Sequence, residues 1–108
     1  MRAIPFVKLV GTGNDFVLVD AIRHKIVPPR GEWQALAQDL CDPRRGAGAD
    51  GLLVLQRSRA ADVRMRIFNP DGSEASMCGN GIRCLAWYAH RHGVAGCEMT
   101  IETGAGMK

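Results

Sequence analysis

Hydrophobic positions along this chain recur at two periods, alternately every second residue and every third or fourth, which predicts short strands interleaved with helices. Residues 3–9 read as a strand. A glycine-rich turn, Gly11-Thr12-Gly13-Asn14, leads into a second short apolar strand over residues 16–19 that ends at Asp20, so the pair predicts a hairpin with a polar tip. Residues 24–31 carry two prolines and predict a loop. From Glu32 onward Trp33, Leu36, Ala37, Leu40 and Cys41 share one helical face, and Asp42-Pro43 ends that helix because proline has no N–H to continue it. A second glycine-rich loop, residues 44–51, precedes the apolar run 52–55, read as a buried strand. Val63, Met65 and Ile67 alternate with Arg64, Arg66 and Phe68, predicting a strand over 62–68 before the turn Asn69-Pro70-Asp71-Gly72. Ile82, Leu85, Ala86, Tyr88 and Ala89 then mark a helix over about residues 80–92, closed by Gly93, and a last strand lies near 98–102.

Composition narrows the class. At 108 residues and 46% hydrophobic content the chain makes one domain, long enough to bury a core and too short for two. Fourteen basic residues against eleven acidic ones leave a formal charge of +3, but the two signs are interleaved and only six residues are aromatic, so no nucleic-acid partner is expected. No stretch approaches the ~18 consecutive apolar residues of a membrane span, and the N-terminus has no secretory pattern. A cytoplasmic protein with no membrane partner is the expectation, and with it four reduced thiols at Cys41, Cys78, Cys84 and Cys97. The Cys78-x5-Cys84 spacing lacks the short hook of zinc sites, and His24, His90 and His92 do not complement it, so no metal is expected.

The candidate chemistry gathers at one sulfur. Ser-Glu-Ala-Ser-Met-Cys-Gly-Asn-Gly-Ile-Arg, residues 73–83, places Cys78 where a turn hands over to the first turn of a helix. The first amides of a helix have no intrahelical acceptor and carry partial positive charge, which favours both a bound carboxylate and an ionised sulfur. Three polar, glycine-bearing turns in one small domain also suit a site built from loops, although glycine and asparagine in any single turn serve the backbone equally well.

The segments 11–17 (Gly-Thr-Gly-Asn-Asp-Phe-Val), 45–51 (Arg-Gly-Ala-Gly-Ala-Asp-Gly) and 65–84 together resemble the signature blocks of the diaminopimelate epimerase family, in order and along nearly the whole chain. The resemblance implies an α/β (α+β) fold of two similar lobes, each a mostly antiparallel sheet wrapped around a central helix, with residues 1–108 as the N-terminal lobe. It implies a cofactor-independent epimerase interconverting LL- and meso-diaminopimelate in lysine and peptidoglycan-precursor synthesis, working as a homodimer. Two thiols would face opposite sides of the α-carbon, one taking the proton and the other donating. By position, Cys78 matches one catalytic cysteine, and Asn14, Asn69, Gly79 and Asn80 match substrate-binding positions. For each asparagine a turn bonding its own backbone is the alternative. Cys84 reads as core, and a Cys78–Cys84 disulfide would deform the helix start. Many members carry histidine where this chain has Val10. The second catalytic cysteine is expected outside these residues, so the chain alone is expected to be inactive. A racemase of the same fold, acting on proline or histidine, and a non-catalytic ligand-binding or thiol-redox module are the alternatives.

Overall fold

Strands that are apolar along their whole length are covered on both faces, whereas alternating strands are covered on one; both kinds occur here, and their order in the sheet follows from it. The computed structural model describes residues 4–10, 13–28, 31–44, 46–76 and 78–107. Its elements run β1 (Val7–Val10), β2 (Asp15–Asp20), α1 (Trp33–Cys41), β3 (Gly51–Gln56), β4 (Val63–Phe68), β5 (Glu74–Ala75), α2 (Gly79–Arg91), β6 (Ile101–Thr103) and β7 (Gly106–Met107). The strands form one sheet in the order β1-β2-β3-β4-β6-β7, with β5 added to β4. One edge of β4 is shared: β6 pairs in parallel with its start (Val63↔Ile101) and β5 antiparallel with its end (Phe68↔Glu74). The β2–β3 pair is also parallel and the other pairings are antiparallel, so the sheet is mostly antiparallel within an α+β fold.

Each helix covers one face. Because side chains alternate across a strand, Val17, Val19, Leu52, Val54 and Phe68 point toward α1, where Leu36, Ala37 and Cys41 close the layer. Phe16, Leu18, Leu53, Leu55, Val63, Met65 and Ile67 point the other way, toward Leu85 and Tyr88 of α2. The central strands β2 and β3 are therefore buried almost throughout, and β1, with a single buried residue, lies at the edge. Tyr88 donates from its hydroxyl to the buried Asp20 carboxylate at 2.9 Å, tying the end of α2 to the end of β2. After α2, Gly93 takes φ +71, and Val94 N–H returns to the Ala89 carbonyl at 2.8 Å. This is the left-handed helix stop expected of glycine there.

Several boundaries differ from the sequence reading. The first strand spans Val7–Val10 rather than 3–9: Pro5 has no N–H for the ladder, and pairing with β2 carries the strand on to Val10 (Val10↔Asp15). The last expected strand, 98–102, is confined to Ile101–Thr103, because ahead of it Thr100 is held by an Asp62 side-chain bond in place of a ladder position. The second helix begins at Gly79 and ends at Arg91. The two-residue strands β5 and β7 were not expected, since two residues are too few to show a period. Ala3, Gly11 and Thr12 of the first turn, Pro29 and Arg30, Arg45 of the second glycine-rich loop, and Met77 lie outside the described residues.

Candidate active site

Strand β5 delivers the chain to Cys78. It is pinned by the two-point contact of Arg66 with Glu74, Nε to Oε2 and Nη2 to Oε1, both at 2.9 Å. That contact holds the Glu74 carboxyl below its ordinary pKa, through the Arg66 hydrogen bonds first. Cys78 then stands at the N-cap of α2 in extended conformation, φ −148° and ψ 119°, with no side-chain cap bond. Helical bonding starts where Ile82 N–H donates to the Cys78 carbonyl at 2.9 Å. The amides of Gly79, Asn80 and Gly81 thus belong to the first turn, whose N–H groups precede the intrahelical pattern. The sulfur-bearing side chain is half-buried against the α2-side core. Gly79 opens onto free space, a Cβ there meeting nothing within 4 Å, whereas a Cβ on Gly81 would approach Leu53 Cδ2 to 3.1 Å. Glycine at 81 lets the helix start lie close on the sheet while glycine at 79 leaves its outer side open.

Of the expected site residues, the structure brings Asn14 and Asn80 together: Asn80 Nδ2 donates to Asn14 Oδ1 at 2.8 Å, across 66 residues of sequence. The first turn is in turn held to the second glycine-rich loop, where Asp15 N–H donates to Asp50 Oδ2 and Asp50 N–H to the Asp15 carbonyl, each at 2.8 Å. Lys8 Nζ donates to the Ala47 carbonyl of that loop at 3.0 Å. Asn69 is exposed and engaged within its own turn, its Nδ2 donating to Ser73 Oγ at 2.9 Å and its N–H to the Ser73 carbonyl at 2.7 Å. Gln38 Nε2 holds that turn to α1 through the Asp71 carbonyl at 2.7 Å. Asp50 lies in the 45–51 motif and has no role assigned by sequence alone. Its signal was its place, one residue ahead of an apolar strand, where a carboxylate can meet a neighbouring strand's free N–H.

The other thiols have different settings. Cys84 is half-buried, and burial, then the nearby Cys78, push its pKa up. Together with Asn80, Arg83 and Trp87 of α2 and Lys8 and Val10 of β1 it lines an open groove of about 420 Å³. Cys41, the last residue of α1, is buried on the opposite face of the sheet. Cys97 is exposed beyond the C-terminal end of α2, with Sγ 3.9 Å from His90 Nε2. Among the described residues no group of three His, Cys, Asp or Glu side chains could hold a metal ion, and no helix is long and apolar enough to cross a membrane.

Solved structures share this architecture. A probable proline racemase from Agrobacterium radiobacter K84 superposes with a TM-score of 0.74 at 21% identity, over 97% of this chain and 36% of its own. A PhzF-family phenazine biosynthesis protein from Bacillus anthracis superposes with a TM-score of 0.67 at 26% identity, over 96% of this chain and 33% of its own. The first of these likenesses, below 25% identity, speaks for the fold alone. Sequence is more specific. Diaminopimelate epimerases from Desulforudis audaxviator and Moorella thermoacetica are each 53% identical to this chain over 103 residues, and one from Methanothrix thermoacetophila is 48% identical over 107. The chain spans 36–38% of the length of these relatives. The family model for diaminopimelate epimerase matches residues 6–108, a span that contains Cys78, the Asn14–Asn80 pair and the Asp50 loop, and the chain belongs to the diaminopimelate epimerase family.

Proposed function

We propose that these residues form one lobe of a cofactor-independent epimerase that inverts a stereocentre of diaminopimelate by proton transfer between two thiols. The observation that carries the reading is the place of Cys78: a thiol at a helix N-cap, beside a glycine open to solvent and an asparagine joined to a second asparagine from a distant loop. The α-proton of an amino acid is weakly acidic, and its removal shifts negative charge onto the adjoining carboxylate. Helix-start amides aimed at that carboxylate lower the barrier because they are oriented before the charge develops. In one direction the Cys78 thiolate takes the proton from one face of the carbon while a second thiol delivers its own proton to the other. In reverse the two exchange tasks, and no net proton is consumed.

The second thiol belongs outside residues 1–108. Cys41 lies across the sheet, and Cys97 lies beyond the far end of a 13-residue helix, roughly 20 Å from its start at 1.5 Å per residue. Cys84 is on the same helix as Cys78, and burial favours its protonated form. Asn14, Asn80 and the Gly79 amide would grip the reacting end of the substrate, and Asn69, one of whose side-chain N–H groups is engaged by Ser73, would offer its remaining polar atoms. The reading extends to a homodimeric cytoplasmic enzyme of lysine and peptidoglycan-precursor synthesis. The 48–53% identity to named epimerases favours it over a proline-type racemase, with which the likeness is in fold. The test is incorporation of solvent deuterium at the α-carbon of diaminopimelate by the full-length protein. Cys78→Ala is expected to lower exchange by about 10³-fold or more, as loss of a proton-transfer group does, and the 108-residue chain alone is expected to show none. Exchange that survives Cys78→Ala removes this cysteine from the mechanism.

A further inference from the structure

We infer that Asp50 is a positioning residue for the reaction: its carboxylate clamps the peptide between Asn14 and Asp15, and so sets the side chain of Asn14 against Asn80 at the helix start. The inference rests on the epimerase reading for its kinetic consequences and on geometry alone for the clamp.

The β2–β3 pair is parallel and begins at Phe16↔Gly51. A strand in a parallel pair needs a carbonyl for the N–H just ahead of its first ladder position. Here the Asp50 side chain supplies the acceptor, taking Asp15 N–H on Oδ2 at 2.8 Å, while Asp50's own N–H returns to the Asp15 carbonyl at 2.8 Å. The Asp15 N–H and the Asn14 carbonyl share one rigid peptide plane, so holding that N–H fixes the rotation that aims Asn14. The Asn14 side chain then accepts from Asn80 Nδ2 at 2.8 Å. With Oδ1 used in this way, the remaining polar group of Asn14 is an NH₂ donor, suited to a substrate carboxylate. Asp50 therefore acts through Asn14 and needs no contact with the substrate. What matters is an acceptor oxygen at this position, more than its charge.

The experiment uses the full-length enzyme, with steady-state epimerisation of diaminopimelate and hydrogen exchange at the Asp15 amide. Asp50→Ala is expected to reduce kcat/KM by about tenfold or more, as small misplacements of binding groups do, and to speed exchange at Asp15. Asp50→Asn, which keeps an acceptor oxygen, is expected to stay within about threefold of the parent, less than the loss of one hydrogen bond. In an Asn14→Ala background, Asp50→Ala is expected to cost nothing further, since groups acting in series are not additive. Three results overturn the inference: unchanged Asp15 exchange in Asp50→Ala, an Asp50→Asn loss of tenfold, or additive losses in the double variant. If Asp50→Ala does not fold, Asp50→Asn still decides. If the parent has no epimerase activity the functional reading fails, and the Asp15 exchange still judges the clamp.

Discussion

Cysteines 41 and 78 illustrate how place in the fold separates chemically identical side chains. Cys78 sits at the N-cap of α2, whereas Cys41, the last residue of α1, is buried against the sheet, where burial first and the Asp50 carboxylate second raise its thiol from 9.0 to about 11. The folded chain thus holds the Cys41 proton more tightly than the unfolded chain. A raised folded value contributes stability that is whole below pH 9 and lost as pH climbs through about 11. The urea midpoint is expected to fall between those limits, and to fall less in Cys41→Ala. Equal slopes in the two proteins would show that Cys41 ionises as freely in the folded state. Asn69 makes the complementary point: a side chain of site type is used to hold its own turn.

Helix α2 joins packing to chemistry. Its buried face, with Leu85, Tyr88 and Ala89, anchors it on the sheet, and its first turn presents Gly79 and Asn80 beside Cys78. The join depends on Gly81, where a β-carbon would stand 3.1 Å from Leu53 Cδ2 and 3.5 Å from Ile67 Cδ1. Leu53 is fully buried and has little room to yield. Gly81→Val is expected to destabilise the fold by roughly 1–3 kcal/mol, the usual cost of overpacking, measured by urea unfolding. Unaltered stability would mean that the helix start does not press on the sheet. Strand β5 reaches the same point by other means: with two residues in the ladder, it is held by the Arg66–Glu74 contact.

At the scale of the whole molecule, large apolar side chains stand exposed along edge strand β1 and beside the groove. Phe6, Val7 and Val10 are exposed, Val10 to 77%, and Trp87 across the groove is 58% exposed. Edge strand β1 meets no further strand on its outer side among the described residues. An open edge with exposed apolar side chains invites pairing with another chain. The isolated 108-residue chain is expected to sediment as dimers or larger species, and Val10→Lys to shift it toward monomer. A monomeric parent would show that this face needs no cover.

How much was legible beforehand follows the range of the forces involved. Both helices and the cores of β2, β3 and β4 were readable because periodicity is local, each apolar residue reporting the face it will bury. Cys78 at a helix start was readable for the same reason, since Gly79-Asn80-Gly81 and the apolar stripe behind it lie within a few turns. Strands β5 and β7 and the joining of Asn14 to Asn80 and of Asp15 to Asp50 were not readable. Those depend on which loops the sheet order brings together, across 66 and 35 residues of chain. The sequence by itself determined the two helices, the cores of β2, β3 and β4, and the place of Cys78 at a helix start. Tertiary structure alone decided which polar side chains meet there, because a hydrogen bond between distant loops exists only once the strands beneath them have paired.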